Sequence, residues 1–446
     1  MSIPRSKNTP IWFLLIGIIL ILMSNSLLTE GMFLDGVTYA GISRNMAEGT
    51  GTFWNPHYTQ TLYPEFRQHP SLALGLEALF FKVLGDHLYV EKLYSVLTFL
   101  LSGLLIALIW KRTTNNLHYA WLPLLFWVAM PLVTWSAPNN MLENTMTVFV
   151  LLSVWLMLLC YQKVNKLWLI LAGIALFAAF LSKGFTGLFP LVFPIIYCIF
   201  DEKHRWIQGV VDTLLLVGTM AVLAGMMFWG FPSSFTYLKD YLNIQVIGNG
   251  LHEVTSNTRL FIVISLLSQL IVPLVIFFIV LIINKINYKK HHKGFGFPPA
   301  KKWFVIFLLL GLTGVLPIMV SVKQRNFYML AALPFFALAL AHLSLSMLDS
   351  LTLICKPHLR KWMTIGASCV FLIGLSLNLF HIGKYGRDEA FLKEMKTFLI
   401  EIPENEIVAI VPEDFSQWTW HAYFMRYGKV SLDCTQPHDH SFSYHP

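Results

Sequence analysis

"FLDGVTYAGISRNMAEG" (33–49) begins a few residues beyond an uncharged apolar run, 11–28. An Asp at position 35 therefore stands where the chain leaves a membrane-length run and enters an amphipathic stretch. On its own, Asp35 could be a helix cap for the stretch starting at Gly36. It could also be a reactive carboxylate held at a membrane surface. The rest of the chain decides which of these the residue is.

Of 446 residues, 56% are hydrophobic and 13% charged, against about 25% charged in soluble domains. This is the composition of a polytopic membrane protein. The formal net charge of +8 does not point to nucleic acid. Lys and Arg cluster in short loops between apolar runs, which is a topology signal, and no nucleic-acid-binding motif is visible. Cysteines at 160, 198, 355, 369 and 434 form neither a CxxC pair nor a Cys/His cluster, which argues against a zinc site or disulfide framework. Arg5 and Lys7 precede the first run, and Ser24-Asn25-Ser26 follows it. A cleaved signal peptide stays open. The run exceeds the usual apolar region of about 7–15 residues, so a retained anchor is expected.

Apolar runs at 11–29, 89–110, 119–134, 145–162, 167–182, 185–200, 207–229, 260–283, 303–322, 327–348 and 362–382 predict an all-α fold of about eleven transmembrane helices. Alternate loops carry Lys111 and Arg112, Lys163 and Lys166, Lys203 and Arg205, the basic run 285–302, and Lys356, Arg360 and Lys361. The opposite loops hold Glu30, Asp35, Glu48, Glu65, Glu77, Asp86, Glu91, Glu143, Asp240 and Glu253. By the positive-inside rule the N-terminus is cytoplasmic and the C-terminus external. Asp212, the one acid near a span interior, is expected to be paired or snorkelling.

Two external segments are not spans. Residues 30–88 form a long loop with amphipathic stretches at 37–48 and 72–84. In the second, Leu72, Leu76, Leu79, Phe80 and Val83 share one helical face, so it is expected to lie along the interface. Residues 384–446 read as helix, strand, helix, strand, a small α/β cap outside the membrane. The organisation is therefore a transmembrane domain, 1–383, and a periplasmic cap, 384–446.

The chemistry-bearing residues gather on the outer face. Asp35 opens the first loop, and "EFRQHPSLALGLEALF" (65–80) leads into the second interfacial helix. "WSAPNNMLENTM" (135–146), "FLSKGFTGL" (180–188), "YLKDYLNIQVIGNGLHEVTSNTR" (237–259) and "VKQRNFYMLAALP" (322–334) are outer turns. The carboxylates Asp35 and Glu143 beside the cations Lys183, Lys323 and Arg325 suit a substrate with a proton to remove and a phosphate to hold. Each residue has a plainer alternative. Glu143 could be a solvated loop acid and Lys183 a snorkelling interfacial lysine; His69 before Pro70 could be structural.

The order of these motifs resembles the polyprenyl-phosphate-dependent GT-C glycosyltransferases: the aminoarabinose lipid A transferases and the protein O-mannosyltransferases with their bacterial relatives. The similarity runs from about 11 to 345. "DGVTYAGISRNM" looks like that family's D-E-x-x-Y-A-x-x-A-R-x-M block, and "LSKGFTGL" like its T-K-G motif. The resemblance implies that Asp35 is the acceptor-activating base, with Glu143 near the position of a second acid. It implies substrate-binding roles for Tyr39, Arg44, His69, Lys183, Lys323 and Tyr328, with Arg325 an extra cation. Gln68-His69-Pro70-Ser71 departs from the family's E-K-P-P or H-P-P turn, which puts metal ligation there in doubt. No cofactor is expected, and a divalent cation stays open. The implied partners are a polyprenyl-phosphate sugar donor, a lipid A, glycan or protein acceptor, and membrane lipids. The implied setting is the inner membrane, with the active face periplasmic. Rival readings are a transporter, a polymer ligase acting on lipid-linked glycans, and a non-enzymatic scaffold.

The charge asymmetry makes a direct prediction. In a variant freed of its own cysteines, single cysteines placed at 60 and 440 label with a membrane-impermeant maleimide in intact spheroplasts, and one at 295 does not. Labelling restricted to 295 would invert the topology.

Overall fold

The computed structural model describes residues 9–249, 255, 258–291, 301–347 and 357–444. Arg5, Lys7, Glu253, Cys355, Lys356 and the centre of the basic run, 292–300, lie outside the described residues.

Every apolar run is helical. Among the described residues, seven helices are long and apolar enough to cross a membrane: Val90–Thr114, Leu142–Lys163, Trp206–Gly230, Phe261–Ile286, Lys302–Val320, Asn326–Ser344 and Arg360–Phe380. The run at 119–134 differs from a simple span. It is a pair, Trp121–Val128 and Pro131–Asn139, bent by 80°. The residue before a proline is pushed out of the helical region, and Met130 is extended at φ −82, ψ 115. The Leu132 N–H that the break exposes donates to Gln269 Oε1 at 2.8 Å. Thr9–Met23, Leu167–Lys183 and Phe185–Phe200 are shorter apolar helices.

We number the first helices α1 (Thr9–Met23), α2 (Leu34–Glu48), α3 (Leu72–Leu84), α4 (Val90–Thr114), α5 (Trp121–Val128), α6 (Pro131–Ser136), α7 (Leu142–Lys163) and α8 (Leu167–Lys183). Helix α1 packs along Pro357–Phe380 through small residues. A Cβ on Gly17 would lie 2.7 Å from the Phe371 backbone nitrogen, and one on Gly374 would lie 2.8 Å from the Gly17 carbonyl. Close backbone approach of this kind is the usual mode of helix contact in lipid. Just beyond these helices, Glu30 N–H donates to the Lys384 carbonyl and Gly386 N–H to the Glu30 carbonyl, at 2.8 and 2.9 Å. The 30–88 loop and the C-terminal segment therefore lie on the same side. At the other side, Asp212 pairs with Lys166 and accepts from the Tyr161 hydroxyl, and Asp201 pairs with Lys302.

In the loop, α3 turns its apolar stripe outward: Leu79 and Val83 are 57% and 81% exposed. Its opposite face, with Ala73, Leu74, Glu77, Ala78 and Phe81, is buried in the protein. A helix with one side sealed by protein and an apolar side left open suits the membrane boundary. A two-residue antiparallel ladder, β1 (Gly51–Thr52) with β2 (Asn55–Pro56), precedes it.

The C-terminal segment forms the helix Glu389–Leu399, strand β3 (Ile407–Ala409), the helix Trp418–Gly428 and strand β4 (Ser431–Asp433), with β3 and β4 parallel. Its core is shared with the external loop. Met32 and Val37 pack with Phe391, Leu392, Val408, Tyr423 and Phe424. Buried charge locks the join. Arg426 donates to Glu91 Oε1 and Oε2 at 3.1 and 2.9 Å, to Asp86 Oδ1 at 2.6 Å and to the His87 carbonyl at 2.9 Å. Arg44 donates to Asp86 Oδ2 at 3.1 Å and to the Met425 carbonyl at 2.7 Å.

Removing one partner from a buried ion network costs about 3–5 kcal/mol. Arg426→Ala should therefore lower the unfolding temperature of the purified protein and open the C-terminal segment to trypsin. Lys393→Ala removes an exposed pair with Glu389 and a contact 5.8 Å from the Tyr385 ring centroid, and should change neither. Wild-type stability in Arg426→Ala would mean that the C-terminal segment is held by apolar packing alone.

Candidate active site

Helix α2 begins one residue before Asp35. Phe33 occupies the N-cap position, and no side chain caps this end. Asp35 is thus not the cap; it sits in the first turn, where the helix dipole favours a negative charge. What fixes this end is the turn "SAPNN". The Phe33 N–H donates to Asn139 Oδ1 at 2.8 Å. Position 36 must be glycine, because a Cβ there would lie 2.0 Å from the Asn139 carbonyl oxygen. Asn140, in the left-handed region at φ 49, donates to the Gly36 carbonyl at 3.3 Å and to Glu77 Oε1 at 2.7 Å. Ser43 donates to Glu77 Oε2 at 2.8 Å. Glu77 is wholly buried, and burial pushes its carboxyl up to about 8. It ties α2, α3 and the turn before α7 together.

Lys183 ends α8 and is 7% exposed. Its ammonium is 3.2 Å from Glu143 Oε1, donates to the Tyr39 hydroxyl at 3.2 Å and lies 3.5 Å from His69 Nε2. It also lies over the rings of Tyr39 and Phe327, at 5.4 and 6.0 Å from their centroids. The chain then turns through Gly184 at φ 97, where a Cβ would meet the Tyr241 hydroxyl at 1.9 Å. The "SKG" spacing is therefore steric: a lysine buried at a helix end, followed by the one residue that permits the turn.

Two cavities meet at Lys183. One, of about 560 Å³, is lined by Asp35, Tyr39, His69, Lys183, Lys323 and Arg325 among others. The second, of about 890 Å³, is walled mainly by apolar residues such as Leu188, Phe189, Leu312, Pro317 and Ile318. His69, Lys183, Gln245, Lys323 and Tyr328 line both. Burial raises the Asp35 carboxyl above its ordinary value, opposed by Lys183, Arg325 and Lys323. Burial, then Lys183 and Lys323, holds the His69 imidazole well below its usual range, so it is neutral at pH 7. Tyr39 is pushed well above its ordinary value, first by burial and then by Asp35 and Glu143. At neutral pH it is a hydroxyl and not a phenolate.

The structure thus brings together seven of the nine residues singled out from sequence: Asp35, Tyr39, His69, Lys183, Lys323, Arg325 and Tyr328. Glu143 lies behind them. It is wholly buried and touches the site through its ion pair with Lys183, and neither carboxylate oxygen accepts a well-aligned hydrogen bond. It is not a solvated loop acid. Arg44 faces away from both cavities and belongs to the junction with the C-terminal segment. Asp240 pairs with Arg67. Glu77, Asn139 and Asn140 were not singled out. Their only sequence signal was a polar "NN" before α7 and an acid on the less apolar side of α3. Among the described residues no group of three His, Cys, Asp or Glu could hold a metal ion.

Residues 68–229 match the family described as dolichyl-phosphate-mannose-protein mannosyltransferase. The chain is 28% identical over 195 residues to the undecaprenyl phosphate-alpha-4-amino-4-deoxy-L-arabinose arabinosyl transferase 2 of Proteus mirabilis (strain HI4320); the match covers 43% of this chain and 33% of that protein. It is 28% identical over 216 residues to the protein of the same name from Pseudomonas fluorescens (strain Pf0-1), covering 47% and 37%. The matched part therefore spans only about a third of these curated relatives. The crystal structure of ArnT from Cupriavidus metallidurans bound to undecaprenyl phosphate superposes on 95% of this chain and 85% of its own, with TM-score 0.63 and 14% identity. The apo form of the same protein gives the same TM-score at 12% identity. The fold is that of ArnT, the GT-C architecture that the motifs implied.

The Lys183–Glu143 pair makes its own prediction. Lys183→Met strands a buried carboxylate and should cost about 3–5 kcal/mol. Adding Glu143→Gln should return part of the loss. Thermal unfolding of the two single variants and the double variant forms a double-mutant cycle. Additive losses would show that the two groups do not interact.

Proposed function

We propose that this chain is an inverting membrane glycosyltransferase that moves a sugar from a polyprenyl-phosphate carrier to a cell-envelope acceptor on the outer face. The observation that carries this reading is the meeting of the two cavities at Lys183. A polyprenyl-phosphate sugar is an apolar tail, a phosphate and a polar ring in series. An apolar cavity, a set of cations and a polar cavity holding a carboxylate follow the same series. The matches to transferases named for undecaprenyl and dolichyl phosphate donors support it. All eleven helical runs cross or enter the membrane in this reading, with the N-terminus cytoplasmic and the 30–88 loop and C-terminal segment periplasmic.

The chemistry follows from the groups present. Asp35 accepts the proton of the acceptor hydroxyl, and that oxygen attacks the anomeric carbon. The bond from that carbon to the phosphate oxygen breaks, and the phosphate leaves with the electron pair. One displacement inverts the centre. Lys183, Lys323 and Arg325 stabilise the charge that develops on the phosphate. Neutral His69 and the Tyr39 hydroxyl orient Lys183 and carry no charge of their own. Glu143, away from the cavity, acts through Lys183 as a positioning residue.

Asp35→Asn keeps the shape and removes the basicity. It should fold normally and bind polyprenyl phosphate, with transfer slowed by about 10²–10⁴-fold. The pH profile checks the same assignment. A base works only when ionised, so transfer should fall toward acid, with a midpoint above the ordinary Asp value of about 3.9. Arg325 pulls that midpoint down, so Arg325→Gln should move it to higher pH. Transfer by Asp35→Asn within a few-fold of wild type would remove the base.

A further inference from the structure

The mouth of the polar cavity has a wall that the transfer step does not use. Tyr63 and Trp418 both line this cavity. Their rings are nearly parallel, at 17°, with centroids 6.2 Å apart. At that separation the rings are not in close face-to-face contact, and each leaves apolar ring surface open at the cavity. They are 39% and 46% exposed, although neither lies in a membrane-spanning segment.

The surface is assembled from two distant parts of the chain. Tyr63 comes from the external loop and Trp418 from the first turn of the helix Trp418–Gly428. Tyr63 is non-glycine in the left-handed region, at φ 51. Such a conformation costs free energy and persists only where its surroundings impose it, often at ligand sites. Here the surroundings are explicit. The Thr59 hydroxyl donates to the Leu62 carbonyl at 2.9 Å, and the Leu62 N–H donates back at 2.7 Å, closing the turn. The turn is pinned to the C-terminal segment by Thr61 on the Leu432 carbonyl at 2.6 Å, Gln60 N–H on Ser431 Oγ at 3.0 Å and Gln60 Nε2 on the Asn405 carbonyl at 2.8 Å. These bonds hold Tyr63 beside Trp418.

We propose that Tyr63 and Trp418 form a binding platform for a sugar ring of a saccharide acceptor, at the mouth of the polar cavity. The proposal rests on the transferase reading above and names its acceptor class. A pyranose ring has one apolar C–H face and an edge of neutral hydroxyls. The two rings supply apolar faces, and rings of this kind pair an apolar body with a polar tip. Beside it the cavity is lined by neutral donors and acceptors: the Thr38 and Tyr58 hydroxyls and the Gln68 and Gln245 amides. A phosphate headgroup would call for cations; Lys183 and Lys323 stand at the junction with the apolar cavity, and Arg325, the cation that lines only the polar cavity, serves the donor phosphate, while Tyr63 and Trp418 carry no charge. An acyl chain would call for an aliphatic groove, which is the other cavity. The C-terminal segment thus contributes directly to acceptor binding through Trp418.

The test uses the full chain in nanodiscs and two probes. Saturation-transfer NMR reports contact with soluble disaccharides, cellobiose and a glucosamine disaccharide. A separate titration measures undecaprenyl phosphate binding. The wild type should give saturation transfer to ring C–H protons of at least one disaccharide. Trp418→Ala and Tyr63→Ala should weaken it by about three- to tenfold, the range of a lost aromatic contact. Trp418→Phe should keep most of it. Undecaprenyl phosphate should bind all four proteins alike. Disaccharide contact that is absent in the wild type, or unchanged in both alanine variants, overturns the platform. Failure of undecaprenyl phosphate to bind the wild type would instead remove the transferase reading, while Trp418-dependent disaccharide contact would leave the platform standing.

Discussion

The site depends on a lysine ammonium buried at the end of a short apolar helix. A charge in that position is costly unless it is paired and hydrogen-bonded. Lys183 meets both conditions through Glu143 at the start of α7, Tyr39 on α2 and His69 before α3. One cation therefore fixes the relative positions of four elements. It also stands where the polar and apolar cavities join, so the group that assembles the site is the group nearest to where a donor phosphate would lie. Glu143 is wholly buried and its charged partner is Lys183, at 3.2 Å, so the carboxylate and the ammonium depend on each other.

The same logic explains why the ionisable side chains do not suggest a transporter. Transporters gather such groups near the bilayer midplane on broken helices. Here Glu143 and Lys183 sit at one end of their helices, and Asp212, Lys166, Asp201 and Lys302 pair at the other. The strongest charge network, Arg44–Asp86–Arg426–Glu91, joins the external loop to the C-terminal segment. That join places Trp418 at the cavity mouth. The C-terminal residues are thus part of the site's construction, although their composition alone marks them as an appended cap.

Much of this was legible in the sequence, for identifiable reasons. Apolar runs report helices in lipid because the backbone has no other way to satisfy its polar groups, so every run was found. Lys183 and Lys323 were legible because basic residues in the expected outer turns run against the positive-inside trend, and Asp35 because it opens the first loop at the head of the motif block. The 80° bend after Val128 was hidden, since Pro131 can begin a helix as readily as break one. Arg44 lies apart from the two cavities because a motif block records which residues recur together but not which face each occupies. On a helix, Tyr39 and Arg44 are five residues apart and point in different directions. Glu77 was invisible because the apolar stripe of α3 faces outward. On a membrane surface the usual rule inverts, and the buried face is the one that carries the acid. Tyr63 and Trp418 could not be linked from sequence, being separated by most of the chain.

The central claim is that Lys183 marks the junction between a lipid-tail cavity and a polar reaction cavity. The most direct measurement is a cryo-EM structure of this chain in nanodiscs with undecaprenyl phosphate. The account predicts phosphate density within hydrogen-bonding distance, about 3 Å, of the Lys183 ammonium, with the first isoprene units running between Leu188, Phe189 and Pro317. Phosphate density bound elsewhere, with the two cavities empty, would contradict it.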